Sequence, residues 1–509
     1  MKKIKLTVAL LALTSTLCAQ VNDSTQSQQN SYEDLKNNML KEFEDFARQA
    51  YQEYEDFRRQ ANAEYAKFMA EAWTLVELSP AQDIPWQPKP PRPIIEEEEP
   101  VQPTPTPTPD PVSPPKPLPK AEPIPFDVIV TPKEIDKPQP IEPLKPRTVP
   151  KAAAQTLYLY GSAFPFYFEN ERSLKLADLS EKSVADLWTQ LSVPYFDDIL
   201  ADCFYQRDQR NLCDWAYIKL TQTVSEKYCG KGTNEAVVMQ MYLLTQSGFQ
   251  MRLGRACDKL VLLIGSSEKI YQYKYFVKDN VQYYNLDRTT QDCSLYVYLH
   301  AFPKEKCLSL ALTQPKLSVE RTEPRTIVSK RYPDVKATVE TNRNLLDFYN
   351  EYPRSGQWQY YSRASLSDAV KAALYPALRK DINGKNELDA VNILLNFVQT
   401  GFEYATDQQQ FGYERPFFPD ETFFYPYSDC EDRAILFSCL VRELVGLDVV
   451  LLHYPGHLAA AVHFNNEVTG DYLTVDGKTY IISDPTFIGA PVGRCAREYK
   501  TVKPTVVKI

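Results

Sequence analysis

Residues 427–464 read YSDCEDRAILFSCLVRELVGLDVVLLHYPGHLAAAVHF, and the fold turns on how this stretch is read. Ala434, Phe437, Leu440, Val441 and Leu444 recur at helical spacing, and Gly446 stands where a helix ends on a left-handed residue. Asp429 suits the N-cap, which puts Cys430 in the first turn. The positive end of the helix dipole favours a thiolate there, while the acids Asp429, Glu431 and Asp432 oppose it. A reactive thiol at this place therefore needs an imidazolium close by. Three of the chain's four histidines, His453, His457 and His463, follow within 33 residues. Leu458, Ala460 and Val462 alternate with Ala459, Ala461 and His463, the pattern of a strand, and His457 opens it after Pro455-Gly456. Further on, a turn at Asp476-Gly477 separates two runs, and the second, KTYIISDPTF, ends in Asp484-Pro485-Thr486. A helix bearing Cys, a strand bearing His and a neighbouring strand bearing Asp supply a nucleophile, a base and an orienting group.

Cys430 in DCEDRA, His457 in GHLAAAV and Asp484 in SDPTF resemble the pattern of the transglutaminase-like superfamily of papain-type thiol enzymes, over roughly residues 385–490. The resemblance implies that Cys430 attacks a carboxamide or peptide carbonyl, that His457 shuttles the proton and that Asp484 holds the imidazole. It also implies an oxyanion near the Cys430 backbone N–H, where a preorganised donor matters most. The DCED wording is similar to a bacterial periplasmic cysteine-protease branch in which acids beside the Cys hold calcium. Asp429 and Glu431 match those acids in type, although an N-cap with helix-dipole acids accounts for them more simply. No cofactor is expected.

The same segment has an earlier counterpart. Shifted by 198 residues, NEAVVMQMYLLTQSGFQMRL (234–253) falls on DRAILFSCLVRELVGLDVVL (432–451), with Ala236 on Ala434 and Gly248 on Gly446. Upstream, NLCDWAYIKL (211–220) resembles NELDAVNILL (386–395). The second copy is longer by 23 residues around DQQQFGYERPFFPDETFF, in a position to wall a papain-type cleft or to pack as a surface loop. Downstream, Asp287 corresponds to Asp484 after a one-residue slip. Gly232 takes the place of Cys430 and Lys259 that of His457. Residues 153–325 thus read as a degenerate copy of the domain at 326–509, without nucleophile or base.

The chain before residue 153 has a different texture. MKKIKLTVALLALTSTLCAQ reads as a secretory signal peptide, 1–19, cleaved after Ala19. Cys18 is preceded by Leu17, a poor setting for a lipid anchor. An eleven-residue repeat at 31–75 aligns Tyr32, Phe43, Tyr54 and Tyr65, and also Leu35, Phe46, Phe57 and Phe68. With three turns per repeat it predicts a straight helical rod over 20–78. Such a rod suits a self-associating coiled coil or an envelope partner; a membrane-facing aromatic stripe is the competing reading. Residues 79–150 hold 24 of the 39 prolines, and 79–152 reads as an extended, disordered spacer unable to bury a core.

Bulk properties narrow the function. Removing the three signal lysines takes the formal charge from −9 to −12, and no basic tract is present, which excludes a nucleic-acid partner. No segment is apolar enough for an integral membrane helix. Nine of the ten cysteines lie after residue 200, an odd number that in an oxidising compartment should mostly pair and leave one thiol over. Cys430 is the candidate for that thiol, and Cys439 reads as core or bridged to Cys495. The whole reading is an α+β protein with two tandem transglutaminase-like domains behind a long helix and a disordered linker. It is exported by a bacterium to the periplasm or cell surface. Its activity would be that of a cysteine peptidase or amidase, or a crosslinking transglutaminase, on a protein or peptide substrate. The competing class is a non-catalytic, disulfide-stapled scaffold that works through its helical rod.

Overall fold

The computed structural model describes residues 26–84, 89, 93, 95, 121–132, 155–166 and 172–509. The signal-peptide reading of 1–19, with Cys18, lies outside them, as does most of the spacer at 79–152. The chain is mixed α+β and divides into two compact units, one up to Gln60 and one from Ala61 onward. Helix α1 (Gln26–Met69) carries the eleven-residue repeat without a Gly or Pro to break it. Up to Gln60 the repeat's aromatic positions, Phe43, Phe46, Tyr54 and Phe57, are exposed. From Ala61 the pattern divides: Phe68 stays exposed, while Ala61, Tyr65 and Met69 are core. Tyr65 is buried with its ring centroid 4.9–5.0 Å from those of Trp188, Tyr298 and Phe302. Asn62 exchanges hydrogen bonds with Gln246 and accepts one from Trp188 Nε1. The rod expected over 20–78 therefore gives its last two turns to the globular unit, and Thr74–Val76 that follows is a strand. No described helix is long and apolar enough to cross a membrane.

Two six-stranded sheets organise this unit. The first is built from β1 (Thr74–Val76), β3 (Met251–Ala256), β4 (Lys259–Ser266), β5 (Tyr275–Lys278), β6 (Val281–Asn285) and β7 (Leu295–Val297), and the second from β2 (Val128–Val130), β8 (Asp448–Tyr454), β9 (His457–His463), β10 (Tyr472–Val475), β11 (Lys478–Ile482) and β12 (Thr505–Lys508). Their orders are β1-β7-β3-β4-β6-β5 and β2-β12-β8-β9-β11-β10. Position by position, these are one order used twice. In both, the five inner strands pair antiparallel. The added outer strand is antiparallel in the first sheet and parallel in the second. Each sheet follows a pair of helices: α2 (Asp214–Cys229) and α3 (Asn234–Gln246) before the first, α4 (Glu387–Gly401) and α5 (Cys430–Leu440) before the second.

The second sheet is covered on both faces, which is why β8 and β9 read as unbroken apolar runs. Val449, Leu451, Leu458, Ala460 and Val462 face the helices, while Val450, Leu452, Ala459 and Ala461 face the opposite core. Helix α5 is buried at all eleven positions, not on one face alone. It leads through a π turn (Val441–Val445) to Gly446 in the left-handed region at φ 79°. Asp476 and Gly477 are both left-handed, at φ 50° and 78°, as a tight hairpin turn between β10 and β11 requires.

Two expectations need correction. Cysteines do not mostly pair: Cys257–Cys293 is the one disulfide among the described residues, and Cys203, Cys213, Cys229, Cys307, Cys430, Cys439 and Cys495 are free. Cys439 and Cys495 cannot bridge, because they belong to cores on opposite faces of the second sheet. Buried thiols here act as small apolar groups, a packing role that parity counting ignores. Nor is 79–152 free of core. Ile124 is 3% exposed on the far face of the second sheet, and β2 extends that sheet beside β12. IPFDVIV (124–130) has strand-forming residues that the surrounding prolines mask.

Ile124→Ala is expected to lower the unfolding free energy by about 2–5 kcal/mol in a urea titration. A change below about 0.5 kcal/mol, the size of a surface effect, would show that 121–132 does not close this face.

Candidate active site

Asp429 holds the N-cap of α5 in extended conformation, and its N–H donates to Asp432 Oδ2 at 3.1 Å. Cys430 follows in the first turn and is 1% exposed. Buried Arg433, one turn on, ties this helix start to the end of α4. Its Nη1 and Nη2 donate to the carbonyls of Gln399 and Phe402, and its Nε to Ser428 Oγ. Those carbonyls sit at the end of α4, where a cation complements the helix dipole. Nothing in the local sequence distinguishes Arg433 from a solvated charge; only the full burial of α5 makes it structural.

His457 opens β9 directly after the tight turn at Pro455-Gly456, with Tyr454 as its cross-strand partner. It is 3% exposed. Its Nε2 lies 2.7 Å from Asp484 Oδ2. The Tyr499 ring stacks on the imidazole with centroids 4.7 Å apart and planes 12° from parallel. Asp484 is held in turn: its Oδ1 accepts from the Thr486 N–H at 2.8 Å. Gln399 Nε2 donates to the carbonyls of Asp484, Phe487 and Ala490, which clamps this turn onto α4. With Nε2 committed to Asp484, Nδ1 is the ring nitrogen left for proton exchange.

Cys430 and His457 line one cavity of about 180 Å³, together with Glu431, His453, Gly456, Leu458 and Trp358. Of the three residues named from the sequence, His457 and Asp484 are in direct contact, and Cys430 shares the cavity wall with His457. The Cys430 thiol donates to Glu431 Oε2 at 3.1 Å. Burial pushes it well above the ordinary thiol range, and the Glu431 and Asp429 carboxylates push it further. In this state it is a thiol.

Beside the thiol lies a nest of carboxylates. The 23-residue expansion supplies Asp407 and Glu414, and the head of α5 supplies Asp429 and Glu431. The Lys89 ammonium sits among them, 2.7 Å from Glu414 Oε2, 2.9 Å from Asp429 Oδ2, in contact with Glu431 Oε1 and 3.9 Å from Asp407 Oδ2. One cation does not neutralise four carboxylates. Burial, then the Glu431 charge, pushes Asp429 up to about 8. Burial also raises Asp407, with the Asp429 charge next. Glu431 goes the other way: burial opposes ionisation, but Lys89 and the hydrogen bond with Asp429 hold it below the usual range. A cation-sized set of hard oxygens is present, since atoms of Asp407, Glu414 and Glu431, and of Asp407, Asp429 and Asp432, lie within 4.8 Å of one another. They suit calcium in donor type, and Asp429 Oδ1 is buried with no donor against it. Lys89 occupies that place, so a metal ion would have to displace it.

The first sheet presents a parallel cavity of about 490 Å³. Gly232, Lys259 and Asp287, the three positions matched to Cys430, His457 and Asp484, all line it. Lys259 opens β4 as His457 opens β9, but its Nζ donates to Thr289 Oγ1, and Asp287 caps the turn at Arg288–Thr290. The cavity holds no thiol and no imidazole.

Asp429 gives a pH dependence with a fixed sign. Its pKa is about 3.9 in the unfolded chain and is raised to about 8 in the fold. Its contribution to stability is therefore full below about pH 4 and is lost as pH rises through about 8. Urea stability should fall between about pH 4 and 8, and Asp429→Asn should flatten that fall; an unchanged slope would place the proton elsewhere. No family model, no curated protein and no solved structure matches this chain.

Proposed function

We propose that the protein is a thiol acyl-transfer enzyme acting on peptide or carboxamide carbonyls, with Cys430 as nucleophile, His457 as base and Asp484 as the group that orients the imidazole. The observation that carries this reading is the His457–Asp484 pair, with Nε2 and Oδ2 2.7 Å apart, whose His457 lines the same cavity as a thiol at a helix N-terminus. The Cys430 Sγ–H proton passes to His457, and the sulfur bonds to the carbonyl carbon. The oxyanion forms near the Cys430 N–H. The C–N bond breaks as the imidazolium returns its proton to the leaving nitrogen. Water then adds to the thioester, the acid leaves and the thiol is restored. Hydrolysis is favoured over crosslinking by the transglutaminase-like resemblance alone.

The same reading makes residues 153–325 a decayed copy of the fold at 326–509. It is supported by the shared strand order and by the cavity in which Gly232, Lys259 and Asp287 meet. The exported setting and a partner for the 31–75 helix are kept within the proposal. Calcium is a candidate ligand of Asp429 and Glu431 in a state where Lys89 has left. One observation favours the scaffold reading instead: the Cys430 thiol donates to Glu431 and is held protonated.

The two readings part on turnover. With a mixture of peptide and glutamine-containing substrates, acid-quenched intact mass spectrometry should find an acyl adduct on Cys430. Cys430→Ala should abolish product, and His457→Ala should slow it about 10²- to 10⁴-fold, the size of a general acid–base contribution. Turnover that survives in Cys430→Ala would dismiss the nucleophile.

A further inference from the structure

Both reacting groups are nearly buried in this structure. Cys430 is 1% and His457 3% exposed, although a peptide carbonyl must approach both. Part of the wall of the cavity they share comes from far away in sequence: Ile84 and Lys89 from the proline-rich stretch, and Tyr271 and Gly356 from before the nucleophile's helix. Lys89 is the distinctive member. It belongs to a stretch rich in proline and poor in core-forming residues, yet its side chain is 9% exposed and its ammonium touches three carboxylates. A lysine held only to fasten a linker would serve as well on the surface. This one stands within the same small cavity as the thiol and contacts both residues that flank it.

We propose that the nest of Asp407, Glu414, Asp429 and Glu431 is a recognition site for a primary ammonium group, a lysine side chain of a peptide bound at Cys430, and that Lys89 fills it in cis as an internal competitor. The inference rests on the thiol-enzyme reading for the meaning of the site, but not for its test. The nest fits a single ammonium on a flexible stem: Glu414 Oε2 and Asp429 Oδ2 lie 2.7 and 2.9 Å from the one nitrogen, and Glu431 Oε1 touches it. It adjoins the nucleophile, because Glu431 accepts from the Cys430 thiol through Oε2 while Lys89 contacts Oε1. With Lys89 in place the nest is filled. With Lys89 withdrawn, the four acids are left without their cation, and a lysine a residue or so from the scissile carbonyl replaces it.

The probe is alkylation of Cys430 by uncharged iodoacetamide, mapped by peptide mass spectrometry on the full chain. It reads access to the thiol whether or not the protein turns over substrate. Lys89→Ala and Lys89→Gln should raise the rate at least fivefold, and Lys89→Arg should raise it less. N-acetyl-lysine amide should slow alkylation of Lys89→Ala again, and N-acetyl-norleucine amide should not. An unchanged or lower rate in a folded variant, or equal effects of the two amides, would overturn the proposal. A second measurement needs no variant. In the wild-type protein Lys89 should react with an acetylating reagent at least tenfold more slowly than exposed lysines such as Lys182, and equal rates would also overturn it. Loss of turnover in Cys430→Ala and His457→Ala bears on the enzyme reading alone.

Discussion

Helix α5 is buried on every side, and the rest of the second half is arranged to make that tolerable. A buried helix must have its end groups answered by protein, because water cannot reach them. Here its head also carries Asp429, Glu431 and Asp432 into the interior. The structure answers in three ways. Arg433 joins the head of α5 to the tail of α4; the 23-residue expansion wraps backbone N–H groups of Arg415 and Phe417 onto Asp407 and Asp432; and Lys89 brings a cation across from the proline-rich stretch. Acids left over hold protons, as the raised Asp429 does.

That constraint also sets the character of the candidate site. A helix N-terminus alone would favour a thiolate, but desolvation and two adjacent acids outweigh it, so Cys430 rests as a thiol bonded to Glu431. The imidazole is prepared independently, by Asp484 at its Nε2 and by Tyr499 against its face. Gln399 holds the Asp484 turn and, through its own carbonyl, receives Arg433. One helix therefore positions both the strand-end acid and the start of the nucleophile's helix. The arrangement is prepared in geometry, with both reacting groups nearly buried.

Much of this was legible in the residues. The helix after Asp429, its end at Gly446, the strand opened by His457 and the turn at Asp476-Gly477 all follow from local patterns, and local patterns are what a sequence states directly. Three features were not legible, for one reason: they are long-range. The acids of DCEDR look like surface dipole partners until α5 is known to be covered on all sides. Lys89 lies 340 residues from Asp429, in a stretch whose proline content hides both it and the strand at Val128–Val130. The cysteines were read by parity, whereas the sheet between Cys439 and Cys495 decides that they stay apart.

The nucleophile assignment stands or falls on Cys430 being a free thiol. The most direct measurement is disulfide mapping of the folded protein, digested without reduction after its free thiols are blocked. The account predicts a single bridged peptide pair, Cys257 with Cys293, and Cys430 recovered in blocked form. Recovery of Cys430 in a disulfide with any other cysteine would contradict it.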